Sequence, residues 1–197
     1  MVLSEKTIIL KNGEVCTLRS PKAEDAEKML EYLKMTAAET DFLLRYPEEV
    51  TMTIEEEINF LNSMRENPRG IMICAFIANK LVASSNIMAI GEHYKISHRA
   101  SFGLAVLKEA WHLGIGKALI TEILKFAEDT GFELVELEVA STNHNAIKLY
   151  ESFGFKIYGT RENGFKFKNG TYCDEHLMLK KIGRWGRTLE FPSQANE

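Results

Sequence analysis

The chain is 197 residues long and is poor in the features that assign a protein quickly. It has three cysteines, Cys16, Cys74 and Cys173, which lie far apart and form no C-x-x-C pair. A disulfide framework and a zinc ribbon are therefore excluded, and a reducing compartment fits best. No apolar run approaches the roughly 20 residues that a membrane-spanning helix needs. The opening residues Met1-Val2-Leu3-Ser4-Glu5-Lys6 carry charge too early for a secretory signal. A soluble, cytoplasmic protein is expected. There is no stripe of Lys and Arg interleaved with aromatics, and the net charge is -4. Both argue against a nucleic-acid partner. His93, His98, His112, His144 and His176 show no ligand spacing among themselves or with cysteine, so no metal is expected. A Walker A loop is absent, since Gly116-Lys117 is followed by Ala118. A dinucleotide fingerprint is absent too, for want of a third glycine.

What remains is ordinary globular material. Hydrophobic residues make up 45% and charged residues 26%. This length suits one domain that buries a core without metal or disulfide staples. Residues 1–182 read as that domain and residues 183–197 as a polar tail. Trp185 and Phe191 in the tail could pack across a partner, giving a homodimer, or back on their own chain.

Periodicity supplies the elements. Thr7 to Leu10 and Val15 to Arg19 are β-rich runs around Asn12-Gly13, a strong hairpin-turn pair. Ser20-Pro21 opens a helix with Ala26, Met29, Leu30 and Leu33 at helical spacing, ending near Thr36. Residues 37–53 read as loop or broken helix. Thr53 with Glu56 forms a capping box, and that helix runs to about Arg65. Ile71 to Ala78, Leu81 to Ile90 and Arg99 to Leu107 are apolar strand-like runs. An amphipathic helix follows, with Ile115, Leu119, Ile120, Ile123 and Leu124 on one face, stopping at Thr130-Gly131. Glu133 to Ala140 is a strand and Asn143 to Ser152 a helix. Two last strands turn at either Asn163-Gly164 or Asn169-Gly170. The order is β-β-α-α-β-β-β-α-β-α-β-β, an α/β domain with a mixed sheet.

Two segments could carry chemistry. At Trp111-His112-Leu113-Gly114-Ile115-Gly116-Lys117, a strand passes through glycines into a helix. Glycine lets the backbone turn sharply and approach a ligand closely. The unpaired first-turn amides at the positive end of the helix dipole suit phosphate. A Gly-x-Gly pair alone is equally compatible with a plain turn. The second segment runs Glu138-Val-Ala-Ser-Thr-Asn143-His-Asn-Ala146-Ile-Lys-Leu-Tyr150-Glu-Ser-Phe-Gly154-Phe155.

With Gly114-x-Gly116, this second segment resembles the GNAT superfamily of acyl-CoA-dependent N-acetyltransferases. The match in order and spacing covers about Ala100 to Phe155, and a looser strand–helix order extends it from Thr7 to Lys181. Locally it is most similar to enzymes that acetylate the N-terminal α-amino groups of ribosomal proteins. The resemblance implies a central mixed β-sheet of about seven strands with four main helices. It implies that the Arg99–Leu107 and Glu133–Ala140 strands splay apart to admit acetyl-CoA. Backbone at Leu104 and Val106 would pair with the pantetheine arm. Residues from Trp111 through His112, Leu113, Gly114, Ile115, Gly116 and Lys117 would hold the pyrophosphate. Asn143 and Ala146 would lie beside the arm, Asn143 bonding it or nearby backbone. The family usually has Arg or Gln where Trp111 stands, so a side-chain contact is lost there, or replaced by Lys117 or His112.

The resemblance also implies roles. An amine must lose a proton before it attacks a thioester, so a general base helps. Glu138 is the candidate, with Glu136 on the same strand face and water as alternatives. A backbone N–H near Val106 would serve the oxyanion. Tyr150, a phenol with an ordinary pKa near 10, would face the departing sulfur. Cys173 and Ser84-Ser85 show no activating neighbour in sequence, so direct transfer in a ternary complex is expected. A catalytically inactive acyl-CoA sensor is the competing reading. The acceptor amine would enter among three loops: Thr36 to Thr53, Gly91 to His98 and Arg161 to Thr171. Glu39, Asp41, Glu48 and Glu49 in the first could attract a cation, or could simply be solvated.

Overall fold

The computed structural model describes residues 1–183. Trp185 and Phe191 lie outside the described residues. The Asn12-Gly13 turn joins β1 (Lys6–Ile9) to β2 (Val15–Arg19), with Gly13 at φ +86, a conformation that favours glycine. From there the expected order is followed: α1 (Ala26–Glu39), α2 (Ile54–Glu66), β3 (Gly70–Ile77), β4 (Lys80–Ala89), β5 (Arg99–Val106), α3 (Ile115–Asp129), β6 (Leu134–Ala140), α4 (His144–Ser152), β7 (Lys156–Lys166) and β8 (Tyr172–Lys181). Eight strands form one sheet in the order β1-β2-β3-β4-β5-β6-β8-β7. Every neighbouring pair is antiparallel except β5 and β6. Among the described residues, no helix is long and apolar enough to cross a membrane.

Two helix limits differ from the sequence expectation. The first helix does not open at Ser20-Pro21. The Asp25 carboxylate binds the Arg19 guanidinium at 2.6 and 2.8 Å and accepts from the Lys22 amide at 2.8 Å. That holds the chain off the helix until a 3-10 turn at Ala23–Asp25. At the other end α1 runs past Thr36 to Glu39. The Thr36 hydroxyl donates back to the Tyr32 and Leu33 carbonyls at 2.9 and 3.1 Å, so it does not compete with the helix. The capping box of α2 forms as expected, with the Glu56 amide on Thr53 Oγ1 at 3.2 Å and the Thr53 amide on Glu56 Oε2 at 2.8 Å.

Seven of the eight residues of β3 are buried, so the sheet is covered on both faces at its centre. Helices α2 and α3 both pack on that strand. The last hairpin turns at Asn169-Gly170, with Gly170 at φ +85. Asn163-Gly164 instead lies in a bulge of β7, where residues 162–164 stand opposite Asp174 alone.

The Arg19–Asp25 pair pins the start of α1 to β2, and Arg19 also stacks on Phe76 at 4.0 Å. Burial by itself would raise the Asp25 pKa, but the Arg19 guanidinium and the Lys22 amide outweigh it and hold the carboxyl below its usual value. Its contribution is present above the unfolded-state pKa and is lost as pH falls through the lower folded value. Asp25→Asn should cost about 2–3 kcal/mol at neutral pH, because it strands a part-buried guanidinium. In urea titrations the gap from the parent should shrink as pH drops below the carboxylate range. A gap that stays constant with pH would exclude the ion pair as its cause.

Candidate active site

Strands β5 and β6 are paired for only three residues, Arg99 to Ser101 against Leu134 to Glu136. Beyond Ser101 they diverge, and a cleft of about 510 Å³ opens between them. Gly103 and Ala105 turn their carbonyls towards β4, where Ser85 Oγ donates to Gly103 O at 2.9 Å. Alternate residues of a strand bond to opposite neighbours, so Leu104 and Val106 present their backbone to the cleft.

Two side chains shape this free edge. The Tyr32 hydroxyl of α1 sits between β4 and β5. It accepts from the Ser84 amide at 3.0 Å and donates to the Ala105 carbonyl at 2.7 Å. Ser84 and Ala105 are register partners, so the phenol stands in for a ladder bond and anchors α1 to the edge. Nothing in the spacing of α1 marked Tyr32 as more than a core aromatic. Trp111 turns inward as well, and its indole N–H donates to the Val106 carbonyl at 2.7 Å. Trp111 also lines the cleft, with its indole donor committed to β5.

After a 3-10 turn at Lys108–Ala110, the chain passes through His112 at φ +63 and Gly114 at φ +99 and enters α3 at Ile115. Gly114 is the N-cap and supplies no side-chain cap. The amides of Ile115, Gly116 and Lys117 are the first-turn donors of the helix, at its positive end. A Cβ on Gly116 would lie 3.1 Å from Leu149 Cδ2, so glycine lets α3 and α4 close up here. His112, Gly114, Ile115, Gly116 and Lys117 line the cleft, joined by Lys11 from the β1–β2 turn. Leu113 does not line it. Its carbonyl accepts from the Lys11 amide at 3.2 Å, which brings Lys11 to the cleft.

On the opposite wall, Asn143 caps α4, with its Oδ1 accepting from the Ala146 amide at 3.2 Å. Both residues line the cleft. Tyr150 is 7% exposed and packs its ring on Phe102 and Phe155, each with centroids 5.9 Å away. Its hydroxyl has no hydrogen-bond partner among the described residues, yet the residue lines the cleft. Burial pushes this phenol above its ordinary pKa.

The carboxylates separate clearly. Glu136 is held by Arg99 at 2.5 and 2.8 Å and does not line the cleft. Glu138 does, and it meets Arg161 Nη2 at 3.4 Å. A third carboxylate, Glu175 of β8, also lines the cleft while 5% exposed, and binds Arg161 Nη1. Burial, followed by the neighbouring Glu138 charge, raises the Glu175 pKa against the pull of Arg161. Sequence reasoning missed it. The one available signal was alternation, which puts Glu175 on the same strand face as Leu177 and Leu179.

The loops also divide. Phe42, Leu43 and Leu44 after α1, and Phe165 of β7, line the cleft, whereas residues 91–98 contribute nothing to it. The acidic residues of the first loop are mostly engaged in structure. Glu39 accepts from the Lys108 amide at 2.7 Å, Glu49 accepts from the Tyr46 amide at 2.8 Å, and Glu48 pairs with Lys168. The Tyr46 hydroxyl also accepts from the Lys168 amide at 3.1 Å, fastening this loop to the β7–β8 turn. Among the described residues, no group of three or more His, Cys, Asp or Glu could hold a metal ion.

Residues 35–155 match the model of the acetyltransferase (GNAT) family. The chain belongs to the GNAT family. It is 33% identical over 85 residues to L-amino acid N-acetyltransferase AaaT of Escherichia coli (strain K12), which is 43% of this chain and 52% of that protein. It is 34% identical over 71 residues to N-alpha-acetyltransferase 50 of Danio rerio, 36% of this chain and 41% of the other. The chain thus spans about half the length of these curated relatives, or less. Its fold superimposes on the acetyltransferase of GNAT family from Streptococcus pneumoniae with a TM-score of 0.81 and 28% identity, covering 85% of this chain and 99% of that one. A GNAT superfamily phosphinothricin acetyltransferase from Sinorhizobium meliloti, solved in complex with AcCoA, gives a TM-score of 0.74 at 19% identity, covering 85% of this chain and 89% of that one. At that identity the second likeness concerns the fold alone. The GNAT family match ends at Phe155, so Arg161, Phe165 and Glu175 lie beyond it.

The Tyr32 wedge can be tested apart from any activity. Tyr32→Phe leaves the Ser84 amide and the Ala105 carbonyl without their buried partner. It should lower unfolding stability by about 1–3 kcal/mol. A urea denaturation curve unchanged from the parent would mean that the two strands close into a direct ladder bond.

Proposed function

We propose that this GNAT chain transfers the acetyl group of acetyl-CoA to a primary amine, by direct attack in a ternary complex. The observation that carries the reading is Tyr150: a buried residue on the cleft whose hydroxyl has no partner among the described residues, with the first-turn amides of α3 and two lysines at the other end. The printed names of the relatives, N-acetyltransferases, and the AcCoA complex of the phosphinothricin enzyme support it.

The residues fit such a ligand in kind. The amides of Ile115, Gly116 and Lys117, with the Lys11 and Lys117 ammonium groups, would hold a pyrophosphate. The glycines at 114 and 116 keep side chains out of that approach. Backbone at Leu104 and Val106 would hold the pantetheine arm, with Asn143 and Ala146 alongside. Acetyl-CoA, when bound, supplies the activated thioester. Glu138 would take a proton from the acceptor ammonium, directly or through water, because only the neutral amine has a lone pair to use. The Val106 N–H is the donor suited to a developing oxyanion. Tyr150 would keep its proton for the departing sulfur. Its raised pKa holds that proton in place across neutral and moderately alkaline pH.

Release of free thiol from acetyl-CoA in the presence of a panel of primary amines tests the reading. Tyr150→Phe should lower kcat by about 100-fold or more, within the range of lost acid–base catalysis. CoA affinity measured by calorimetry should stay within about threefold, because a hydroxyl facing the reacting sulfur contributes little to ground-state binding. An unchanged kcat would remove Tyr150 from the reaction. CoA binding with no thiol release from any amine would favour an acyl-CoA sensor instead.

A further inference from the structure

We propose that the acceptor is a primary ammonium on an apolar stem, with no anionic group beside the nitrogen. The proposal rests on the acetyltransferase reading above and concerns the end of the cleft to which Phe165 and Glu175, beyond the family match, contribute.

The two ends of the cleft have opposite electrostatic character. Lys11, His112 and Lys117 stand with the α3 amides at one end. Among the described residues, they are the only cationic or imidazole side chains that line the cleft. At the other end the charged side chains that line it are Glu138 and Glu175. Arg161 is close by but is committed to both, through Nη1 to Glu175 and Nη2 to Glu138. One guanidinium shared by two carboxylates leaves that end short of a positive charge. The burial of Glu175 beside Glu138 sharpens this deficit. A bound ammonium would supply the missing charge, whereas a substrate carboxylate would be a third anion with no free cation to meet it.

The bulge in β7 builds this end. Asn163 takes φ +54, and its amide donates to Asp174 Oδ1 at 2.8 Å. A Cβ on Gly164 would come within 2.7 Å of Glu175 Cβ, so this position needs glycine to admit the carboxylate. The same irregularity carries Phe165 into the cleft. Phe165 lines the cleft together with Phe42, Leu43 and Leu44, whose loop is latched by Tyr46 and Glu48 onto Lys168, and Leu44 stands 83% exposed. These side chains offer an apolar stem somewhere to lie. The Tyr150 hydroxyl, without a partner among the described residues, belongs to the same cleft.

Four probes differ in one feature at a time: phenylalaninamide, phenylalanine, 2-phenylethylamine and glycinamide. Each kcat/KM is measured at saturating acetyl-CoA and at one pH below the amines' own pKa values, so that every probe is presented as its ammonium. Phenylalaninamide should exceed phenylalanine by at least about tenfold, the effect of one unmet anion. It should exceed glycinamide by at least about tenfold, for the lost apolar contact. The 2-phenylethylamine arm separates a small-amine acceptor from one that needs a peptide-like amide. Glu175→Gln should narrow the phenylalaninamide-to-phenylalanine ratio. Glu138→Gln, at an exposed position, should do the same where the first variant fails to fold. Phenylalanine used as well as its amide would overturn the charge argument and make Arg161 a carboxylate receptor. Glycinamide used as well as phenylalaninamide would overturn the apolar one. Turnover of other amines with none of these four would sink the inference while leaving the acetyltransferase reading intact. Thiol release from no amine at all would remove both.

Discussion

The parting of β5 and β6 after three paired residues is the constraint on which the rest of the site depends. A sheet normally satisfies every strand edge with the next strand. Here the parallel pairing stops at Ser101 and Glu136, and the backbone of Leu104 and Val106 is left facing a gap. An open edge inside a domain is costly unless something bonds to it. Trp111 already satisfies the Val106 carbonyl, and Tyr32 bridges the other side of the strand at Ala105. Tyr32 thereby holds the edge from behind and Trp111 from its end, and the backbone between them faces the gap, where an extended ligand could pair as a substitute strand.

Holding the gap open uses many of the polar groups that, in sequence, look available for other work. Glu39 fastens the end of α1 to the Lys108 amide at the foot of β5. Glu48 and Tyr46 secure the following loop to the β7–β8 turn. Glu136 is tied to Arg99 beside the last paired residues. What is left over defines the chemistry: first-turn amides and lysines at one end, an unpaired phenol in the middle, and two carboxylates sharing one arginine at the other. The separation of charge along one cleft suits a ligand that is anionic at one end and meets a cation at the other.

Much of the fold was legible in the sequence, because its signals were local. Asn12-Gly13, Thr53 with Glu56, and the stripe from Ile115 to Leu124 each report backbone geometry within a few residues. The limits of α1 were misread because they depend on Asp25 reaching back to Arg19 and on the rotamer of Thr36. Gly114 and Gly116 fall in one local pattern and Asn143 and Tyr150 in another, and all four line the cleft. Glu175 and Lys11 were not legible in the sequence, since each reaches the cleft only through pairing with distant strands or loops.

By itself the sequence determined the element order, the helix-opening glycines and the Asn143-to-Phe155 motif, since all of these are set by spacing along the chain. It left open which of two Asn-Gly pairs turns the last hairpin, and which carboxylates line the cleft. Tertiary structure decided both. The turn falls at Asn169-Gly170 because Asn163-Gly164 is needed as a bulge that clears room for Glu175. Glu138 and Glu175 face the cleft while Glu136 does not, because Arg99 and Arg161, brought in by neighbouring strands, each claim their own partners. Charge pairing of that kind is a property of the sheet register and cannot be read from one strand alone.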